Sequence, residues 1–239
     1  MLFGRHKHGI IDREQVKIYI NGKEIEMVDS TKFLGVLIDS KLNWYDQINC
    51  VSEKISKSLA IMYKVRYLVN RSCLITLYNS LFLPYLTYCC EIWANTYKTK
   101  LQSLFIKQKK AIRIINNVGF YDHTNELFIQ CKLLKFAEIV KLKTACFMFK
   151  AYHKKIPSNV QHYFEVGACA NVYGTRQKDK FKTNFVRTNL KSNCVSVVGV
   201  KIWNSLPDKI RDSITLFTFK SKLKQCTVFL LCTVQIRSN

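Results

Sequence analysis

The stretch from Arg71 to Asn117 constrains the fold most, because it contains two successive apolar patterns with helical spacing. The first pattern predicts a helical stretch with a broad buried face, formed by Leu74, Leu77, Tyr78, Leu81, Leu86, Tyr88 and Trp93. After a break at Asn95-Thr96, the second pattern repeats at intervals of three and four residues, through Leu101, Leu104, Phe105, Gln108, Ile112 and Ile115. Two such helices bury their apolar faces against other elements, and together they favour a mainly α fold.

The opposite side of the second helix is basic. It carries Lys107, Lys109, Lys110 and Arg113. A helix that packs on one side and presents only positive charge on the other is suited either to a polyanion or simply to water.

The charge of the whole chain has the same sign and is unevenly distributed. The 239 residues carry a formal net charge of +22, and 48% are hydrophobic, which is a globular rather than a disordered composition. Residues 1–96 contain 12 Lys and Arg against 9 Asp and Glu, whereas residues 97–239 contain 26 against 7. This asymmetry favours a nucleic acid or another anionic partner. A well-solvated basic protein is the alternative.

The ten cysteines indicate neither a disulfide framework nor a metal site. No C-x-x-C occurs, and most cysteines fall within apolar helical patterns, where a reduced thiol behaves as a small hydrophobe. The set Cys146, His153, His162 and Cys169 has wider gaps than zinc-binding pairs. We find no secretory signal and no apolar run long enough for a membrane span, so the expected location is intracellular, in the cytoplasm or nucleus, without a membrane partner.

Five segments are predicted along the chain. They are a loose lead-in at 1–14, a β element at 15–44, a helical domain at 45–117, a basic α+β region at 118–225 and an apolar tail at 226–239. The fold class is therefore mainly α (α+β), with a small N-terminal antiparallel element, a helical bundle and a basic C-terminal region with short strands and a terminal helix.

Local signals locate the elements. Asn21-Gly22 between alternating residues predicts a hairpin, and Lys32–Asp39 predicts a third strand, buried on both faces, with a bend or close backbone approach at Gly35. Pro84 predicts a kink. Further helices are expected at 45–68, 124–131 and 135–153, a short strand at 195–202 broken by Gly199, a tight turn at 203–210, and a last helix capped by Ser213 or Thr215.

A second basic segment follows the helical domain in extended chain. It contains Arg176, Lys178, Lys180, Lys182 and Arg187, interleaved with Phe181 and Phe185. Lysines and arginines of this kind contact phosphates, and exposed aromatic rings stack on bases. The two phenylalanines are alternatively core residues. A third basic group is Lys220, Lys222 and Lys224.

No catalytic constellation is visible. Phosphate-binding glycine loops, H-E-x-x-H and G-x-S-x-G are absent, and the 16 acidic residues include no adjacent Asp-Asp pair. Two-metal phosphoryl transfer needs converging carboxylates. Asp39 ends an apolar strand without a visible partner, so it is predicted to be a turn or cap residue.

Four ordered stretches resemble one family. They are TKFLGVLIDSKLNWYDQI (31–48), LYNSLFLPYLTYCCEIWA (77–94), LFIKQKKAIRII (104–115) and WNSLPDKIRDSITLFTFKSKLK (203–224). They look like the C-terminal third of the reverse transcriptase polyprotein of non-LTR retrotransposons, close to the Jockey and CR1-like groups. The resemblance covers about 16–224, and it departs at Gln47, where the family commonly has His, and in the apolar tail.

The resemblance implies a division of labour within the parent enzyme. The catalytic palm, whose aspartates hold two Mg²⁺ ions, would precede the K-F-L-G-V segment, so this chain is expected to hold no cofactor and to be inactive alone. Phe33, Leu34 and Gly35 match the strand that supports the primer terminus. The helices of 45–117 would form a thumb that tracks the primer–template duplex through phosphate contacts.

The predicted function is therefore that of a fragment of an RNA-directed DNA polymerase that retains binding to RNA, DNA or an RNA–DNA hybrid. A further predicted partner is the catalytic part of the parent polyprotein. The alternative is a decayed or domesticated helical interaction protein without a nucleic-acid function. Charge concentrated on one face of the thumb helices favours the first, and charge spread over all faces favours the second.

Overall fold

A computed structural model describes residues 17–167, 180–183 and 185–225. The predictions for the lead-in at 1–14, for Arg176 and Lys178, and for the tail at 226–239 concern residues outside this part of the chain. The described residues form two small antiparallel hairpins followed by a succession of helices. The predicted fold class, mainly α with a small N-terminal β element, is confirmed.

The first hairpin forms where Asn21-Gly22 predicts it. Strand β1 (Tyr19–Ile20) pairs antiparallel with β2 (Lys23–Glu24). Both turn residues have positive φ, 49° at Asn21 and 77° at Gly22, as a type I′ turn requires.

The single strand predicted over 32–39 is wrong. The chain instead forms a second hairpin, in which β3 (Ser30–Phe33) pairs with β4 (Val36–Asp39). Leu34 and Gly35 form its turn with φ of 46° and 82°. Reversal at this glycine places Phe33 and Leu34 in solvent, with 62% and 76% of their surface exposed, instead of burying the segment on both faces.

The helices with defined bounds are α1 (Tyr45–Val65), α2 (Arg71–Leu77), α3 (Leu83–Thr87), α4 (Cys90–Trp93), α5 (Lys98–Asn116), α6 (Asn125–Gln130), α7 (Phe136–Tyr152), α8 (Ser158–Gln161), α9 (Asn189–Ser192), α10 (Val195–Ser205) and α11 (Asp208–Arg211). Residues 216–225 form a further helix, α12. Thr215 caps it, since its hydroxyl accepts a hydrogen bond from the backbone N–H of Thr218.

The predicted kink near Pro84 is confirmed. Between α2 and α3 the chain forms a π-helical turn at Tyr78–Phe82, and Pro84 lies in the first turn of α3. Proline has no backbone N–H and clashes with the preceding turn, so the α-helical hydrogen-bond ladder is interrupted there. Tyr88, predicted to be buried, is instead half exposed at the end of α3.

Two apolar cores follow each other along the chain, and α7 contributes to both. The first core joins α1, the π-helical turn, α5 and the start of α7, where the rings of Trp93 and Phe136 stack at 5.9 Å. The second core joins the end of α7 to α10 and α12, and the ring of Phe219 lies 4.8 Å from Phe149 and 5.9 Å from Trp203.

The strand predicted at 195–202 is wrong, because these residues form helix α10. At Gly199 the absence of a side chain lets α10 approach α7 closely: an added Cβ would lie 2.6 Å from Sδ of Met148. Packing against α7 therefore overrides the β propensity of the valines. Trp203, predicted in a tight turn, is fully buried near the end of the same helix.

The cysteines mostly behave as predicted. Cys90, Cys131 and Cys146 are buried thiols, and burial raises the pKa of Cys90 to about 12. Cys73 lies on the surface instead. In the part of the chain that the structure describes, no helix combines the length and apolarity needed to cross a membrane.

Candidate nucleic-acid interface

Helix α5 carries the basic face predicted from sequence. The helix contains six Lys and Arg residues and no Asp or Glu. Successive residues turn by roughly 100°, so Lys107, Lys109, Lys110 and Arg113 span an arc of about 160°. The buried residues Leu104, Ala111, Ile112 and Ile115 occupy the opposite side of the helix. Lys109, Lys110 and Arg113 thus point away from the core, and Lys107 lies at the edge of this surface toward α1. These four cations are hereafter the basic face of α5.

The core side of α5 is fixed by a buried glutamine. Gln108 is fully buried, and its Nε2 donates to the Tyr78 hydroxyl at 2.9 Å and to the Leu134 carbonyl at 3.0 Å. Its Oε1 accepts from the backbone N–H of Phe136 at 2.8 Å. These bonds join α5 to the π-helical turn and to α7. They fix the rotation of α5 about its axis, and therefore where the basic face points.

Helices α1 and α5 run parallel and are tied together by lysines. Lys107 Nζ donates to the Ser52 carbonyl at 2.9 Å and also contacts the Ser52 hydroxyl. Near the N-terminal ends of both helices, Lys100 Nζ donates to the Asn43 carbonyl at 3.1 Å. Burial lowers the pKa of Lys107, and the charge of Lys110 lowers it further. Lys107 therefore uses part of its hydrogen-bonding capacity to hold the two helices together.

The remaining cations of the basic face lie against aromatic rings. Lys109 Nζ is 4.6 Å from the centroid of Phe105, and Lys110 and Arg113 lie 5.5 and 5.9 Å from that of Phe120. Over the described residues none of the four forms a salt bridge with a carboxylate. Their charge is thus balanced by ring faces and solvent.

An exposed aromatic pair extends this surface, and sequence reasoning missed it. Phe120 and Tyr121 follow α5, with 61% and 90% of their surface exposed and an edge-to-face contact at 5.1 Å. Arg113 Nε donates to the Asp122 carbonyl at 3.0 Å, which fastens their loop to the basic face. The adjacent aromatic residues three positions after the helix cap Asn117 were a usable signal. Exposed rings beside cations can stack on bases.

The tip of the second hairpin holds the residues that the resemblance matches to the primer-supporting strand. The Tyr88 hydroxyl, after α3, donates to the Leu34 carbonyl. A Cβ on Gly35 would lie 3.5 Å from the Tyr88 ring, so the predicted close approach at this glycine is present. Phe33 and Leu34 are thereby presented to solvent next to the helical domain.

The second basic segment is only partly within the described residues. Phe181 is buried against Trp203 in the second core, and its backbone N–H and carbonyl both bond the Asn204 side chain. Lys182 pairs with Glu165 at 3.9 Å. Lys180 is partly buried, while Phe185 and Arg187 are exposed. Phe181 is thus a core residue, and Phe185 alone of the two rings faces solvent.

Asp39 is a cap, as predicted. Its carboxylate accepts from the backbone N–H groups of Asn43 at 2.6 Å and Trp44 at 3.0 Å, where the chain enters α1. Within 17–167, 180–183 and 185–225, no three His, Cys, Asp or Glu side chains are grouped to hold a metal ion.

Comparison with known proteins gives three curated relatives. The RNA-directed DNA polymerase from mobile element jockey of Drosophila melanogaster is 24% identical over 124 residues, which are 51% of this chain and 14% of the relative. The jockey polymerase of Drosophila funebris is 21% identical over 145 residues, 59% of this chain and 15% of the relative. The probable RNA-directed DNA polymerase from transposon X-element of Drosophila melanogaster is 24% identical over 119 residues, which are 48% of this chain and 13% of the relative.

All three relatives are polymerases of transposable elements. The predicted resemblance to the reverse transcriptase of non-LTR retrotransposons is confirmed by these matches. The chain spans about one seventh of the length of the relatives it matches. No family model matches the chain, and no solved structure matches it.

Proposed function

We propose that this chain is a nucleic-acid-binding part of a retrotransposon reverse transcriptase and that the basic face of α5 contacts the phosphate backbone of an RNA–DNA hybrid. In this proposal, polymerisation chemistry belongs to another part of the parent polyprotein. The observation that carries the proposal is the separation of charge and core on α5: the helix has no carboxylate, and its basic face lies on the side opposite the buried residues.

The chemistry of the face suits a backbone rather than a base sequence. Lysine and arginine neutralise phosphates without reading bases, and the A-form-like hybrid presents its phosphates in a regular array. The exposed rings of Phe120 and Tyr121 lie beside Lys110 and Arg113 and add a stacking surface for unpaired bases. Because the charge is concentrated on one face of α5, binding is favoured over the alternative of a helical protein without a nucleic-acid function.

The test is the salt dependence of binding. Affinity for an RNA–DNA hybrid, duplex DNA and single strands is measured by fluorescence anisotropy across a salt series. We expect the hybrid to bind most tightly and its affinity to fall steeply as salt rises, because each neutralised phosphate releases counterions. Lys109→Glu with Lys110→Glu should reduce the slope of log affinity against log salt concentration by roughly two, at about 0.9 per phosphate contact.

A matched control reverses the same amount of charge elsewhere. Lys201 and Lys209 are exposed cations on α10 and α11, away from α5. Lys201→Glu with Lys209→Glu should leave the slope nearly unchanged. If both pairs of substitutions lower affinity equally, binding depends on net charge and not on the basic face. A folded protein that binds no nucleic acid at low salt contradicts the proposal.

The exposed hairpin tip suggests where the rest of the parent enzyme docks. Phe33 and Leu34 are apolar, solvent-exposed and held by Tyr88 against the helical domain. In this proposal they contact the catalytic part of the polyprotein. Coexpression of the two parts should give a complex, and Phe33→Ser with Leu34→Ser should weaken it. A complex of unchanged affinity would exclude this contact.

A further inference from the structure

A cavity of about 440 Å³ opens where α1 and α5 end. Ile114 and Asn117 line it, and at spacings of three and four they continue the row of Lys110 and Arg113 along α5. The basic face therefore leads directly to the cavity. Its volume lies within the range of small-molecule sites, about 300–1,000 Å³.

Two arginines and no carboxylate line the cavity. Arg66 lies over the rings of Tyr63 and Tyr67, at 3.9 and 4.4 Å from their centroids. Its Nε is buried, and over the described residues it has no hydrogen-bond partner. Arg71 Nη2 lies 3.4 Å from Cys131 Sγ, a weak acceptor. Arg66 is partly exposed and Arg71 is exposed, so the Nη groups of Arg66 and the guanidinium of Arg71 can still donate to an anion.

The walls combine apolar side chains with side-chain amides. Val69, Ile114, Val118 and Leu127 are partly exposed and form the apolar surface, and Asn117 and Gln130 add amide groups. No hydrogen bond of these two amides is present among the described residues, whereas Asn116 is held by the Ile112 carbonyl. A lining that combines apolar side chains with free amides suits a nucleobase, which has flat apolar faces and a polar edge.

We propose that this cavity holds an unpaired nucleotide that extends from the end of the bound duplex. The phosphate lies on Arg66 and Arg71, the base enters between the apolar walls, and Asn117 and Gln130 bond its edge. The proposal rests on the proposed function, since the duplex along α5 delivers the strand end. It adds a preference for duplex ends with a single-stranded extension over blunt ends.

The test compares a blunt RNA–DNA hybrid with the same hybrid bearing a short 3′ or 5′ extension. We expect one of the two extensions, 3′ or 5′, to tighten binding about tenfold relative to the blunt hybrid, equivalent to about 1.4 kcal/mol. Asn117→Gly with Gln130→Ala should abolish this gain and leave blunt-end affinity unchanged. Glycine accepts the left-handed conformation of Asn117, whose φ is 49°, so the end of α5 is preserved.

A control pair removes amides outside the cavity, at Asn159 and Gln225, which are both exposed. Asn159→Gly with Gln225→Ala should keep the tenfold gain. 2-Aminopurine at the first unpaired position should change its emission on binding, and the cavity variant should lose this change. Equal affinity for blunt and extended hybrids, or a gain that survives in the cavity variant, overturns the proposal. Either result leaves the salt dependence along α5 intact, whereas failure of the proposed function removes binding of every hybrid.

Discussion

Lys107 Nζ lies 2.9 Å from the backbone carbonyl oxygen of Ser52 and donates a hydrogen bond to it across the α1–α5 contact. The basic face of α5 therefore contains two kinds of cation. Lys107 lies partly between helices, where burial lowers its pKa, whereas Lys110 is exposed. Residues with the same charge in one sequence pattern thus have different consequences when they are replaced.

Replacing Lys107 should affect stability more than binding. Lys107→Met keeps the aliphatic stem and removes the bonds to Ser52, so we expect the free energy of unfolding to fall by about 1 kcal/mol. Lys110→Met should leave stability within about 0.5 kcal/mol and weaken hybrid binding instead. Urea denaturation and anisotropy measure the two effects. The reverse order of effects would show that the Lys107–Ser52 contact does not hold the helices together.

Of the positions in the first core, Gln108 is where one substitution should lower the free energy of unfolding most. Gln108→Leu leaves the Tyr78 hydroxyl, the Leu134 carbonyl and the Phe136 N–H without their partner. Each unsatisfied buried group costs about 1–3 kcal/mol, so we expect a loss of roughly 3 kcal/mol or more. Tyr78→Phe removes one partner and should cost less. Equal losses in urea denaturation would indicate that the three bonds are not made together.

Gly199 should not tolerate a side chain. The helix propensity of alanine favours Gly199→Ala by about 1 kcal/mol, but its Cβ would meet Sδ of buried Met148 at 2.6 Å. Overpacking of this kind costs about 1–3 kcal/mol, so we expect net destabilisation. In a double-mutant cycle with Met148→Ala, the cost of Gly199→Ala should shrink or reverse. A cost that is unchanged in the Met148→Ala background would place the clash elsewhere.

His153 should make stability depend on pH near neutrality. Burial, and then the charge of Lys155, lower its pKa below the usual 6.5, and its ring lies 4.3 Å from that of Phe149. The unfolded chain then binds more protons just below pH 6.5, so the free energy of unfolding falls as the pH decreases through that window. His153→Phe should flatten this dependence between about pH 5.5 and 8 in urea denaturation. A slope that persists in His153→Phe must come from another group.

The elements that could be predicted are those whose cause is local. Asn21-Gly22 gave the first hairpin because both residues accept positive φ, and Pro84 gave the kink because it lacks an N–H. Asp39 was identified as a cap from its place between a strand and a helix. The basic face of α5 followed from the spacing of its cations. The domain boundaries and the nucleic-acid-binding residues stay predictions.

The misassigned elements are those that distant residues decide. The sequence pattern predicts residues 32–39 as one strand with a close approach at Gly35. It shows neither the pairing of β3 with β4 nor that Tyr88 is the partner of Gly35. Residues 195–202 have a strand-like composition, yet Gly199 makes them fit against Met148 as a helix. In both cases the glycine admits a close neighbour, Tyr88 at Gly35 and Met148 at Gly199, and only the tertiary structure shows which residue that is.

By itself the sequence determined the class of fold, the positions of most helices and the concentration of positive charge on one side of α5, because these follow from side-chain spacing along a single helix. Only the tertiary structure decided which cations face solvent, that Phe120 and Tyr121 extend the basic face, and that α1 and α5 end at one cavity. These depend on how α5 is rotated against the core, which Gln108 fixes through residues 26 to 30 positions away.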